Sequence, residues 1–179
     1  MKVIAFAASN SRNSINKQLV SYAASTFKSK FAPQADIEIL DLNDFETPLY
    51  SVDIENENGI PETAKSFYAR LGTADILLVS YAEHNGSYTA VWKNLFDWMS
   101  RIDRRVFQGK PMVAFSTSPG PGGAARVLAS AVGSAPTFGA DMKGSLSIPS
   151  FDDSFDMAAK QLINEELNSQ LVDVLEAIV

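Results

Sequence analysis

A chain of 179 residues with 46% hydrophobic content is the size of one domain and can bury a sizeable core. A net charge of −6, with no block of Lys and Arg, excludes a broad electrostatic footprint for DNA or RNA, so local groups must hold any anionic ligand. The absence of Cys excludes a disulfide, a thiolate nucleophile and a Cys-ligated metal and fits the cytoplasm, and one His offers no transition-metal cluster.

The apolar run at 2–8 is short for a secretory signal and turns polar at Ser9, so it is expected as a buried strand. No apolar run approaches the ~18 residues that a membrane helix requires. A polar loop, Ser9-Asn10-Ser11-Arg12-Asn13-Ser14, leads into a helix expected over 14–30, followed by a strand at 36–41. Residues 43–61 lack periodicity, contain Pro48 and Gly59 and carry Asp53, Glu55 and Glu57. That segment is either a solvated acidic loop or a wall or lid of a ligand site. A helix near 61–72 and a buried strand at 75–80 come next, then the turn Glu83-His84-Asn85-Gly86-Ser87-Tyr88 and an amphipathic helix at 90–101. A strand at 111–116 ends in Thr117-Ser118-Pro119-Gly120-Pro121-Gly122-Gly123, which opens a helix at 123–132. A strand at 142–147 and a helix over 157–178 complete the chain.

Five short strands alternating with helices predict an α/β fold: one doubly wound parallel sheet with helices on both faces. No repeat, low-complexity tract or long linker divides the chain, so residues 1–179 are expected to form a single domain. In the order 2-1-3-4-5, the helices after strands one and three leave for opposite faces and open a crevice between their loops. The polar loop and Glu83–Tyr88 would flank it, with the glycine loop beside them.

The hydroxyls of Ser9, Ser11 and Ser14, the amide of Asn16 and the guanidinium of Arg12 surround a helix N-terminus, a combination suited to a phosphate dianion. Ordinary capping by Ser14 or Asn13 would account for some of the same residues without a ligand. The loop matches neither G-x-x-x-x-G-K-[ST] nor G-x-G-x-x-G, which argues against nucleotide hydrolysis and a standard dinucleotide fold. Gly86, Gly120, Gly122 and Gly123 either serve turn chemistry alone or let main chain approach a flat ring and donate to its carbonyls.

On the ordered set Ala8-Ser9-Asn10-Ser11-Arg12-Asn13-Ser14-Ile15-Asn16, Pro48-Leu49-Tyr50, Glu83-His84-Asn85-Gly86-Ser87 with Lys93-Asn94 and Asp97-Trp98, and Ser118-Pro119-Gly120 with Gly122-Gly123, the chain resembles the NADPH-dependent FMN reductases of the flavodoxin-like fold, which include quinone, chromate and azo-dye reductases. The resemblance implies an FMN site made from Ser9, Ser11, Arg12, Ser14, Ile15, Asn16, Glu83, His84, Asn85, Gly86, Ser87, Ser118, Pro119, Gly120, Gly122 and Gly123. Ser9, Arg12, Ser14 and Asn16 would hold the phosphate, Glu83 to Ser87 would line the ring, and Ser118 and Gly120 would approach it from the third loop. The family commonly has Tyr where this chain has His84, and Gly where it has Ala8.

The implied chemistry passes hydride from NADPH or NADH to FMN and on to a small-molecule electron acceptor at the same face, so no catalytic side chain is obligatory. His84 is either a ring contact or a proton donor to a reduced quinone. Glu83 is either an acid or a helix-entry carboxylate facing solvent or a neighbouring subunit. Trp92, Phe96, Trp98 and Met99 recur along one helix, as core packing or as a surface buried in a homodimer or homotetramer; the family uses this region for dimer contacts. The rival function is an FMN electron carrier without nicotinamide-dependent activity. A hydrolase lacks a nucleophile elbow.

Overall fold

The computed structural model describes residues 1–179. β1 (Lys2–Ala8) is apolar and, except for Lys2, buried throughout, because both of its faces are covered. It pairs in parallel with the edge strand β2 (Asp36–Leu40) and with β3 (Ile76–Tyr81). β3 pairs with β6 (Pro111–Thr117), and β6 with β7 (Asp141–Ile148). The order β2-β1-β3-β6-β7 is 2-1-3-4-5 when the strands of this sheet are counted alone, the flavodoxin-like topology that the alternating pattern predicts.

The alternation of side chains along each strand feeds two cores. Val3, Ala5, Ile76 and Leu78 face α1 (Ile15–Lys30) and α7 (Glu165–Glu176). Ile4, Phe6, Leu77 and Val79 face α3 (Glu62–Gly72), α4 (Ala90–Ile102) and α5 (Ala125–Ser134). Phe67 packs edge-on against Phe6 and Phe45, at centroid distances of 5.2 and 4.9 Å. Truncating so buried a ring to Ala costs about 3–5 kcal/mol.

Three expectations need correction. The last helix does not run from 157. A short helix α6 (Phe151–Ser154) is followed by a hairpin of β8 (Phe155–Asp156) and β9 (Gln161–Leu162). Asp156 Oδ1 accepts from the amides of Ala158 and Ala159, which curls the chain away from a helix, and α7 starts only after Asn164 caps the Leu167 amide at 3.0 Å.

Residues 43–61 are only partly irregular. They include a 3₁₀ turn at Leu42–Phe45 and α2 (Val52–Asn58), capped by Ser51 and ended by Gly59 at φ 73°. The segment is strapped to α4: Asn94 accepts from the Tyr50 amide at 2.8 Å and donates to the Pro48 carbonyl at 3.0 Å, and the Trp98 indole donates to the same carbonyl at 2.8 Å.

Trp92, Trp98 and Met99 are buried in the chain's own core, so the second tryptophan serves this strap and needs no neighbouring subunit to cover it.

Candidate functional site

The C-terminal ends of β1, β3 and β6 carry the three loops, and each is fixed differently. In the first, Ser14 caps α1 by accepting from the Lys17 amide at 3.2 Å, and Ser9 Oγ accepts from the Ser11 amide at 3.2 Å. Both hydroxyls keep a proton to donate. No acidic side chain lies in the first turn of α1, so its positive end is uncompensated. Arg12 is exposed.

Asn16 is buried, and its carboxamide joins three elements. Its Nδ2 donates to the Thr117 carbonyl at 3.1 Å, and its Oδ1 accepts from the Thr117 amide at 3.1 Å and from Ser80 Oγ at 2.7 Å. The side chain is thus committed to bracing α1 against β3 and β6.

The second loop is a two-rung antiparallel hairpin, β4 (Glu83–His84) and β5 (Ser87–Tyr88). Asn85 and Gly86 turn it at φ 53° and 76°, the left-handed pair that matches strand twist and explains why Asn-Gly stands there. Glu83 is half-buried. Its Oε2 accepts from the Val127 amide at 3.0 Å, closing the first turn of α5. The hairpin and α5 are thereby joined.

In the third loop, Ser118 and Gly120 carbonyls accept from the amides of Phe151 and Ser150 at 3.1 and 3.0 Å. Nothing lies within 4 Å of where a Cβ on Gly120 or Gly122 would sit. Gly123 differs: at φ 57° its Cβ would stand 2.3 Å from Ser147 Oγ and 3.0 Å from the Pro149 nitrogen, so it is required by packing against β7. Its carbonyl accepts from both Ser116 and Ser147 hydroxyls, at 2.7 and 2.8 Å.

These loops enclose a crevice of about 190 Å³ lined by Ser9, Ser11, Asn13, Ser14, Ile15, Asn16, Ala82, Glu83, His84 and Pro119. Of the residues singled out from the sequence, Ser9, Ser11, Ser14, Ile15, Asn16, Glu83, His84 and Pro119 meet there. Arg12, Asn85, Gly86, Ser87, Ser118, Gly120, Gly122 and Gly123 lie outside its lining. Asn13 and Ala82 are additions: the first was legible only as a cap, and the second has no polar group to signal it. The volume is below the ~300–1,000 Å³ of an enclosing ligand pocket, which suits a ligand laid along a sheet edge with one side open.

A family model for NADPH-dependent FMN reductase matches residues 1–153. The chain belongs to that family. A 2-hydroxy-1,4-benzoquinone reductase of a Burkholderia species is 36% identical over 121 residues, 67% of this chain and 62% of that protein. A quinone reductase of Escherichia coli (strain K12) is 34% identical over 79 residues, 44% of this chain and 42% of that protein. The chain thus spans about half the length of the curated relatives it matches. Among solved structures, the flavoenzyme NAD(P)H:(acceptor) oxidoreductase FerB from Paracoccus denitrificans superimposes with a TM-score of 0.77 at 23% identity, covering 99% of this chain and 96% of that chain, a likeness of fold.

Proposed function

We propose that this member of the family is an NAD(P)H-dependent FMN reductase that delivers electrons to a quinone, free flavin or other small acceptor. The observation that carries the reading is the convergence of three loops on one crevice with the uncompensated start of α1 at its base. The residues fit the cofactor. Ser9, Ser11 and Ser14 supply hydroxyl donors beside free amides of the first helical turn, and Arg12, which makes no ion pair, supplies a cation for the phosphate.

Bound FMN supplies two-electron chemistry, taking a hydride from the nicotinamide and returning it to the acceptor. The chain's share is placement. The hairpin from Glu83 to Ser87 and the loop from Ser118 through Pro119, Gly120 and Gly122 would border the ring. The Gly120 and Gly122 amides make no hydrogen bond within the chain and would be the donors to the ring from this loop. Gly123 holds that loop against β7. Asn16 positions the phosphate loop from beneath. His84, exposed on the last rung of the hairpin, is a contact for the acceptor.

Residues 1–179 act in this reading as one FMN-binding unit, since both cores pack on one sheet. Leu49 and Val52, 78% and 57% exposed on the strap beside α4, support assembly as a homodimer or homotetramer, with light scattering as the check. A cytoplasmic location goes with use of a nicotinamide donor, and cell fractionation checks it.

The deciding experiment is an anaerobic visible spectrum of the FMN-loaded protein before and after NADPH or, separately, NADH. Bleaching of the flavin supports the reductase and identifies its donor. Bound flavin that stays oxidised favours the electron carrier, and failure to bind FMN removes the crevice from both readings.

A further inference from the structure

A nicotinamide dinucleotide brings its own phosphates to the site, and a chain with a net charge of −6 needs a local cation to receive them. On the three loops and the helices that follow them, few cations are free. Lys17, Lys93 and Arg101 are paired with Asp41, Asp97 and Glu55. Lys28 and Lys30 lie in the last turn of α1, at the opposite end of that helix from the crevice. Arg12 and Arg126 remain, and both are exposed. Arg12 belongs to the loop that serves the flavin phosphate.

Arg126 is the second residue of α5, and two contacts fix where it stands. Glu83, which lines the crevice, accepts from the amide of the next residue, Val127, at 3.0 Å. The turn of the same hairpin lies against the side chain, because a Cβ on Gly86 would stand 3.8 Å from Arg126 Nη1 and 3.9 Å from its Cδ. The backbone carbonyl of Arg126 accepts from Ser130 Oγ at 3.1 Å, but its guanidinium N–H groups have no partner within the chain. A charged fork is thus held beside the hairpin that would border the ring, with all of its donors unused. Arg126 does not line the crevice itself, so the flavin phosphate is not its partner.

We propose that Arg126 holds a phosphate of the nicotinamide donor, either the pyrophosphate or the 2′-phosphate of NADPH. The guanidinium matches phosphate oxygens in a bidentate manner and is the free cation nearest the hairpin turn. The proposal rests on the reductase reading, since a chain that takes no electrons from a nicotinamide has no such phosphate to hold.

The test is anaerobic bleaching of the FMN-loaded protein by NADPH, by NADH and by reduced nicotinamide riboside, which carries no phosphate. The quantity read is the second-order rate constant for each nucleotide divided by that for the riboside, so any change in the flavin's own reactivity cancels. Arg126→Ala is expected to lower the NADPH ratio about tenfold, as the loss of one charge-assisted hydrogen bond at an exposed site. Arg126→Lys, which keeps the charge without the fork, is expected to lower it less. A fall shared by NADH assigns the pyrophosphate, and a fall confined to NADPH assigns the 2′-phosphate. Ratios unchanged in Arg126→Ala, or a loss that Arg126→Lys shares in full, overturn the proposal. Wild-type flavin that neither nucleotide bleaches removes the reductase reading and this proposal with it, whereas bleaching with unchanged ratios removes Arg126 alone.

Discussion

Replacing Asn16 tests whether the phosphate loop is held by its own capping or by a brace from beneath. Asn16→Ala removes three hydrogen bonds at once and leaves the Thr117 amide and carbonyl without partners in a buried position, while the Ser80 hydroxyl can rotate to another acceptor. An orphaned buried group costs about 1–3 kcal/mol, so two give about 3–5 kcal/mol after partial relaxation. For a chain of this size each kcal/mol moves Tm by about 2–4 °C, which predicts a fall of about 6–20 °C by calorimetry. FMN affinity should fall as well, since the start of α1 is no longer fixed relative to β6. Asn16→Asp keeps the Oδ1 bonds but turns an oxygen toward the Thr117 carbonyl. Its carboxylate is disfavoured when charged and regains a donor when protonated, which raises the folded pKa above the unfolded one, so its deficit relative to wild type should shrink as pH falls towards about 4 and change no further below it. A loss under about 3 °C for Asn16→Ala would refute the brace.

Three further outcomes follow from the same geometry. Gly123→Ala should cost about 2–4 kcal/mol from its left-handed backbone and the 2.3 Å approach to Ser147 Oγ, and adding Ser147→Ala should restore part of the loss, as a double-mutant cycle of thermal melts will show. Arg12→Ala should weaken FMN binding about tenfold and leave riboflavin binding unchanged, because the guanidinium has only the phosphate to serve; equal losses for both ligands in a fluorescence titration would exclude that role. Burial would raise the pKa of Asp41, but hydrogen bonds from Lys17 and Asn43 outweigh it and hold the carboxyl below its usual value. A depressed folded pKa gives stability that is present above the unfolded value and lost on acidification, so Asp41→Asn should flatten the decline in Tm below about pH 4.

The parallel sheet was legible because each central strand is a short apolar run followed by a polar loop, and burial on both faces leaves little else that such a run can be. α2 was not, since its seven residues include no buried one and so show no apolar stripe. Only Ser51 and Gly59 marked its ends. The β8–β9 hairpin has two residues per strand, too few for any period to register. The Asn85-Gly86 pair did carry a hairpin signal, but the rungs on either side are only two residues long. At the site, residue type identified the polar loop but not the work of each member. An amide suits a phosphate and a brace equally, and which one Asn16 performs depends on the rotation of α1 over β3 and β6. Glu83 is a similar case, because the helix it caps begins about forty residues later in the chain.

The hairpin also bears on how such a protein diversifies. Glu83 and Tyr88 form its inner rung, and Glu83 is tied to α5, while His84 and Ser87 form the outer rung and are exposed. Replacements on the outer rung leave the hydrogen-bonded frame beneath them untouched. Surface chemistry at this edge can therefore change by single substitutions without disturbing the scaffold, so chains that fold alike can differ in what this edge would contact.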